Sequence, residues 1–245
     1  MAQRLEPKAS LDDFPTPPWA TRALIEHVVS DDARHMSCLE PACGAGHMAK
    51  VLSEYFGCVE SSDIADYGFG KRADFLAEYK SAGQYDWVIT NPPFNLAERF
   101  VRLSLEVARK GVAILVRTVF IESVGRYERL FREYPLTIFA QFVERVPMIK
   151  GRLDPTASTA TGYCWLVWIK NSEGVPRLLW IPPCRRQLER PDDYPGWYSI
   201  RPSSLTKLHK FRPIPAKQTG SEFGGKKQAF NPGDQDAVKA ACERL

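Results

Sequence analysis

The chain has 245 residues, of which 44% are hydrophobic, 25% charged and 11% aromatic, a composition that excludes collagen-like, coiled-coil and wholly disordered classes. Apolar runs such as residues 112–116 fall far short of the roughly 20 residues that cross a bilayer, and residues 1–8 are polar, so no membrane span or signal peptide is expected and a cytoplasmic location is the default. The net charge of +4 is uneven: residues 171–245 hold 13 Lys and Arg against 8 Asp and Glu, an excess suited to a polyanion such as nucleic acid.

The first recognisable segment is Asp12-Asp13-Phe14-Pro15-Thr16-Pro17-Pro18. Its prolines bar a helix until they end. Thr16 is the expected N-cap, with Pro17 at the first helical position and an amphipathic helix over 19–29. Strands and helices then alternate to about residue 169. Strands are expected at 38–40, 58–64, 86–90, 112–117, 138–143 and 163–169, and helices at 47–55, 96–110 and 124–134. In 96–110 the apolar residues Leu96, Phe100, Leu103 and Val107 recur at helical spacing. Such alternation argues for an α/β protein with a mostly parallel, doubly wound sheet covered on both faces. Cys164-Trp165-Leu166-Val167-Trp168 reads as a strand buried on both sides. Three regions follow: an N-terminal segment and helix (1–36), a core (37–170), and a basic, proline-rich extension (171–245) that is irregular and partly disordered. The six cysteines contain no C-x-x-C pair, so no metal site is expected.

Leu39-Glu40-Pro41-Ala42-Cys43-Gly44-Ala45-Gly46 lies between the first expected strand and a helix. Glycines let the backbone come close to a ligand, and the helix start offers free N–H donors. The second strand ends in Asp63, about 20 residues on, where an acid can accept both hydrogens of a ribose diol. Glu40, at the tip of the first strand, would repel a pyrophosphate. It favours a cationic ligand group, such as the amino end and sulfonium of S-adenosylmethionine. Asp74-Phe75 would complete a nucleoside pocket, the carboxylate on the adenine amine and the ring on its face.

Asn91-Pro92-Pro93-Phe94 follows the strand 86–90. Two prolines remove two backbone donors and stiffen the loop, leaving carbonyls outward as acceptors beside the Asn91 side chain. An exocyclic amine on a ring is a poor nucleophile because its lone pair is delocalised. Acceptors on its hydrogens draw it toward tetrahedral geometry and restore the pair, while Phe94 can stack on the planar base. No metal and no strong base is needed. If 38–40 and 86–90 are the first and fourth strands of a doubly wound sheet, they are neighbours at the switch point, where ligands bind.

Taken together, these residues resemble the amino-methyltransferases of nucleic acids, especially DNA adenine-N6 methyltransferases, over roughly residues 12–170. Phe14-Pro15-Thr16-Pro17 is similar to the family's N-terminal cofactor motif, residues 39–46 to its glycine motif, Asp63 (with Ile64) to the ribose-binding acid, Asp74-Phe75 to the adenine contact, and Asn91-Pro92-Pro93-Phe94 to the catalytic tetrapeptide. The motif order is similar to the gamma arrangement, and compact phage or prophage enzymes are the nearest kin expected. The resemblance implies a Rossmann-like class I methyltransferase fold, S-adenosylmethionine as cofactor, held by Thr16, Glu40, Pro41, Ala42, Gly44, Gly46, Asp63, Ile64, Asp74, Phe75 and Asn91, and methyl transfer to adenine N6 in DNA after base flipping. Tyr163 and Trp165 would help Phe94 hold the flipped base or fill its gap. Arg185, Arg186, Arg190, Arg201, Lys207, Lys210 and Arg212, interleaved with Trp197, Tyr198 and Phe211, would track phosphates, and the polar stretch 146–161 would form a substrate-side loop.

The tetrapeptide is shared with RNA guanine-N2 methyltransferases and with protein glutamine methyltransferases, so RNA (guanine N2 or adenine N6) and protein targets stay as alternatives. A non-catalytic nucleic-acid-binding module on the same fold is another. A cytosine-C5 enzyme would use a cysteine such as Cys184 after Pro183, but that leaves the tetrapeptide without a role. An NAD-linked oxidoreductase has the same defect.

Overall fold

The computed structural model describes residues 12–29 and 33–194. Strands β1 (Ser37–Glu40), β2 (Cys58–Asp63), β3 (Lys71–Arg72), β4 (Tyr85–Thr90), β5 (Ala108–Arg117), β6 (Ile138–Phe142), β7 (Tyr163–Ile169) and β8 (Arg177–Ile181) form one sheet in the order β3-β2-β1-β4-β5-β7-β6-β8. β7 runs antiparallel to both its neighbours and every other pair is parallel. The order turns round between β1 and β4, which pair through Cys38 with Trp87 and Leu39 with Val88. That is the expected switch point, and the carboxyl ends of these two strands open a crevice.

Helices α1 (Pro18–His27) and α2 (His47–Leu52) cover one face, and α3 (Phe75–Glu78) and α4 (Ala97–Val107) the other. On the first face Trp19, Leu24, Met48 and Leu52 meet Trp87, Ile89, Leu115 and Trp165. On the second Phe75, Phe100, Val101 and Leu105 meet Leu39, Val88, Ile114 and Leu166. Alternate residues of β4, β5 and β7 thus serve opposite cores, as the two-residue strand period requires. Burying each large apolar side chain contributes about 1.5–3 kcal/mol. No helix among the described residues is long and apolar enough to cross a membrane.

Several local expectations need correction. Thr16 does not cap α1, which starts at Pro18 behind Pro17 with no side-chain cap hydrogen bond. The helix expected to run to residue 110 stops at Val107, because Ala108 pairs with Tyr85 and Arg109 reaches Asp86 at 3.2 Å; sheet pairing outweighs the helical propensity of these residues. The helix expected over 124–134 is one short α-helical turn, α5 (Val124–Arg126), followed by a π-helical turn at Tyr127–Phe131. Strand β8 lies beyond residue 170, in the stretch expected as an extension, yet it is a full member of the sheet beside β6. Its outward residues Leu178 and Trp180 are 58% and 61% exposed. At the opposite edge β3 is two residues long and both are exposed cations.

The chain after β8 returns to α1 through α6 (Arg185–Leu188) and a turn at Pro191–Asp193. Arg22 of α1 is buried and makes paired hydrogen bonds to both carboxylate oxygens of Asp193, 2.8 Å each. It also bonds Glu54 at 2.7 and 3.1 Å and the Leu188 carbonyl at 2.8 Å. Of the cations expected to track phosphates, Arg185 and Arg190 pair instead with Glu189 and Glu54 at 3.1 and 3.0 Å, and Arg186 is exposed. Arg201, Lys207, Lys210, Arg212, Trp197, Tyr198 and Phe211 lie outside the described residues.

Candidate active site

The crevice above β1 and β4 is an open cleft of about 610 Å³, counted out to solvent. It is lined by the segment 12–16, Glu40, residues 42–45, His47, Met48, Asp63, Ile64, Tyr67, Asn91 and Pro93. Thr16, Glu40, Ala42, Gly44, Asp63, Ile64, Asn91 and Pro93 of the expected site therefore meet on one surface.

The glycine loop does two jobs with its two glycines. Gly44 has φ +49° and Gly46 φ +80°, both in the region that side chains avoid. Over Gly44 the space is open, the nearest atom to a would-be Cβ being Asp13 Oδ1 at 3.8 Å. At Gly46 a Cβ would fall 2.4 Å from the Phe69 ring. Gly44 thus faces the cleft, while Gly46 makes room for a neighbouring aromatic and does not line the cleft. Pro41 is buried behind the loop.

The cleft is acidic. Asp12, Asp13, Glu40 and Asp63 all line it, and His47 is the single basic side chain among the lining residues. Burial and Lys50 hold the His47 pKa down, which favours the neutral ring. Asp63 accepts from the Gly44 N–H at 2.9 Å and the Ala65 N–H at 3.0 Å, one on each oxygen. This fixes the carboxylate and leaves further lone pairs on both oxygens. Asp13 is pushed up by burial and then by the charge of Asp63. Glu40 is 2% exposed, and its pKa is raised well above 4.5 by burial first and Asp63 second, against a backbone hydrogen bond at Ala49. Lys150 is near enough to act on Asp13, but four carboxylates against one imidazole in the lining suit a cationic ligand group better than an anionic pyrophosphate.

Asn91, at the exit of β4, is clamped by the N-terminal segment. Its Nδ2 donates to the Phe14 carbonyl at 2.9 Å and to Thr16 Oγ1 at 3.1 Å, with Met148 Sδ at 3.7 Å. The reverse amide orientation would set Oδ1 against the Phe14 oxygen, which is only an acceptor. Seven side-chain polar atoms are buried without a hydrogen-bond partner among the described residues, and only two belong to residues that line the cleft: Glu40 Oε2 and Asn91 Oδ1. Leaving such an atom unmatched costs about 1–3 kcal/mol, and at these two a group bound in the cleft would supply the partner.

The diproline turn differs from expectation. The Pro93 carbonyl accepts from the Leu96 N–H at 2.9 Å and so starts the turn into α4. Pro92 is buried and, unlike Asn91 and Pro93, is not among the residues that line the cleft. The Phe94 N–H donates to Asp12 at 2.9 Å. Its ring carries the Arg117 guanidinium 4.1 Å above the centroid and lies 5.4 Å from the Phe14 ring, tilted 35°. Phe94 is not among the residues that line the cleft.

Other expected residues fall elsewhere. Asp74 accepts from the Leu76 N–H at 3.0 Å, capping α3, and Phe75 is buried against Tyr79 and Phe100; neither lines the cleft. Tyr163 and Trp165 are 4% and 0% exposed, and the Trp165 indole N–H donates to the Ala20 carbonyl beneath α1. Both serve the core, because β7 is an inner strand covered on each face, so they are corrected from base contacts to packing residues. The 146–161 stretch does approach the site: Gly151 N–H bonds the Asp13 carbonyl at 2.9 Å, and Met148 touches Asn91. Asp12, Asp13, Tyr67 and Arg117 carried no motif of their own, although the acids stand beside the Phe14-Pro15-Thr16-Pro17 run.

No family model matches this chain, and no curated protein matches it. Among solved structures it is similar to a proposed RNA methyltransferase from Pyrococcus horikoshii, with TM-score 0.50 and 16% identity over 69% of this chain and 92% of that one. It is also similar to a modification subunit of a proposed type I restriction enzyme from Vibrio vulnificus, with TM-score 0.49 and 17% identity over 67% of this chain and 45% of that one. The fold is the Rossmann-like methyltransferase fold.

Proposed function

We propose that this protein transfers a methyl group from S-adenosylmethionine to an exocyclic amino group, adenine N6 in DNA, with the base flipped out of its stack. The observation that supports the reading is a pair of buried oxygens without a partner, Oε2 of Glu40 and the clamped amide Oδ1 of Asn91, both on residues that line one acidic cleft. The first fits a cationic cofactor, the second an N–H of the target.

S-adenosylmethionine, when bound, supplies an electrophilic methyl on a sulfonium. Glu40, Asp13 and Asp63 would hold its positive charges and ribose hydroxyls, with Gly44 giving the backbone room. Asn91 Oδ1 and the Pro92 carbonyl would each accept one hydrogen of the target amine. Accepting both makes the nitrogen pyramidal and concentrates its lone pair along the line of attack. Transfer would exchange the methyl C–S bond for an N–C bond and leave the nitrogen positive; the same two oxygens would stabilise that charge, and its surplus proton would leave to solvent. Holding both reactants in place can supply roughly 7–11 kcal/mol of the barrier reduction.

The test is transfer of labelled methyl to DNA, RNA and protein by the wild type and by Asn91→Ala. Label on adenine in DNA, lost by at least about a hundredfold in the variant while cofactor affinity stays within twofold, is the expected result. Label on RNA or on protein glutamine moves the substrate class. Full activity of Asn91→Ala, or no transfer to any acceptor, overturns the reading.

A further inference from the structure

An amide has two unlike ends, and only one of them can activate an amine. Should Asn91 turn by 180° about its last torsion, it would point an NH2 at the incoming N–H bonds and the site would be dead. What prevents this is whatever holds Nδ2. That group has two hydrogens and three contacts, Phe14 O at 2.9 Å, Thr16 Oγ1 at 3.1 Å and Met148 Sδ at 3.7 Å; the carbonyl can only accept and so sets the sense of the amide, and the hydroxyl adds the second bond that holds it there. Thr16 is 4% exposed, so water does not readily replace it. The hydroxyl is not used to cap α1, which has no side-chain cap hydrogen bond. The segment that carries it is stiffened by Pro15, Pro17 and Pro18 and is bolted down twice more, through Asp12 to the Phe94 N–H and through the Asp13 carbonyl to the Gly151 N–H.

We infer that Thr16 is a positioning residue: its hydroxyl oxygen, with the Phe14 carbonyl, fixes the Asn91 amide so that Oδ1 alone faces the target amine. This assigns Thr16 to the orientation of the amide-bearing loop, in place of the cofactor contact expected for it, and it rests on the methyl-transfer reading above. The Phe14 carbonyl cannot be removed by substitution, but the Thr16 hydroxyl can. Valine keeps the shape and removes the acceptor, alanine removes both, and serine keeps the acceptor.

The experiment compares Thr16→Val, Thr16→Ala, Thr16→Ser and Asn91→Ala in the full chain. Val and Ala are expected to lower kcat about tenfold, the worth of one hydrogen bond, with KM for the nucleic acid and Kd for S-adenosylmethionine unchanged within twofold. Ser is expected to restore kcat. In the absence of any substrate, the Asn91 side-chain NH2 signals, assigned by their loss in Asn91→Ala, are expected to exchange with solvent at least about tenfold faster in Thr16→Val, in keeping with one lost hydrogen bond. If Val does not fold, the Ala variant carries both comparisons. An unchanged kcat and exchange rate in Val or Ala, beside an inactive Asn91→Ala, overturns the role of Thr16 and leaves the methyl-transfer reading standing. A weakened Kd for S-adenosylmethionine with kcat intact overturns it in favour of a cofactor contact. An active Asn91→Ala overturns both.

Discussion

A carboxylate enclosed at the tip of a strand, as Glu40 is, costs the empty protein stability whenever it is ionised. Its folded pKa stands well above the ordinary 4.5, so protons are held more tightly in the folded than in the unfolded chain. By linkage the stability lost to this group grows as pH rises from about 4.5 through the folded value. Glu40→Gln removes that dependence. The ligand-free variant is expected to melt above the wild type at pH 7.5, with the gap closing as pH falls toward 4, while S-adenosylmethionine affinity drops. Melting curves across that pH range check it, and a variant that melts lower throughout contradicts it. That Glu40, Gly44, Asp63 and Asn91 would gather around one cleft was legible in the sequence, because each stands at or just beyond the end of a readable strand. Asp12 and Asp13 were not singled out, since an acidic pair ahead of prolines is usual for any surface loop. Tyr163 and Trp165 were misread because an aromatic at a strand start has the same appearance whether the strand is inner or edge.

At the scale of the elements, the glycine loop separates two demands that its sequence merges. Gly46→Ala forces a side chain to φ +80° and into the Phe69 ring. The backbone alone costs about 1–2 kcal/mol, so a lowered melting temperature is expected. Gly44→Ala meets the same φ penalty but open space, and its Cβ enters the cleft. It is expected to weaken cofactor affinity more than Gly46→Ala does. Calorimetric binding beside thermal melts separates the two, and equal losses of affinity would sink the distinction. The loop was legible as a strand-to-helix turn, yet the division of labour was not, because it depends on Phe69 in an unpatterned segment. Strand β8 escaped for a different reason: Leu178-Leu179-Trp180-Ile181 is a continuous apolar run, but it is short and runs straight into Pro182-Pro183, so it reads as part of the proline-rich stretch that follows it. The end of α4 escaped because Ala108, Arg109 and Lys110 favour a helix locally, and only pairing with β4 overrides that.

Across the whole molecule, Arg22 ties the first helix to the chain beyond the sheet. Its guanidinium is 3% exposed and shared between Asp193 and Glu54. Removing one side of a buried ion pair strands the other, at about 3–5 kcal/mol. Arg22→Ala is expected to lose stability on that order in denaturant titration, and pairing Arg22→Met with Asp193→Leu is expected to recover part of it. Little loss in the single variant would show that residues 184–194 are held by other contacts. The alternation of strands and helices made the sheet and its switch point readable, but this clasp joins residues 171 positions apart, and nothing in local pattern announces it. The margins of the sheet differ as well. One ends in Lys71 and Arg72, which discourage a further strand; the other presents Leu178 and Trp180 to water, with three strands between it and β4 at the cleft. Trp180→Lys is therefore expected to raise the concentration at which the protein precipitates while turnover stays as it was, and an unchanged solubility limit in a precipitant titration would contradict it.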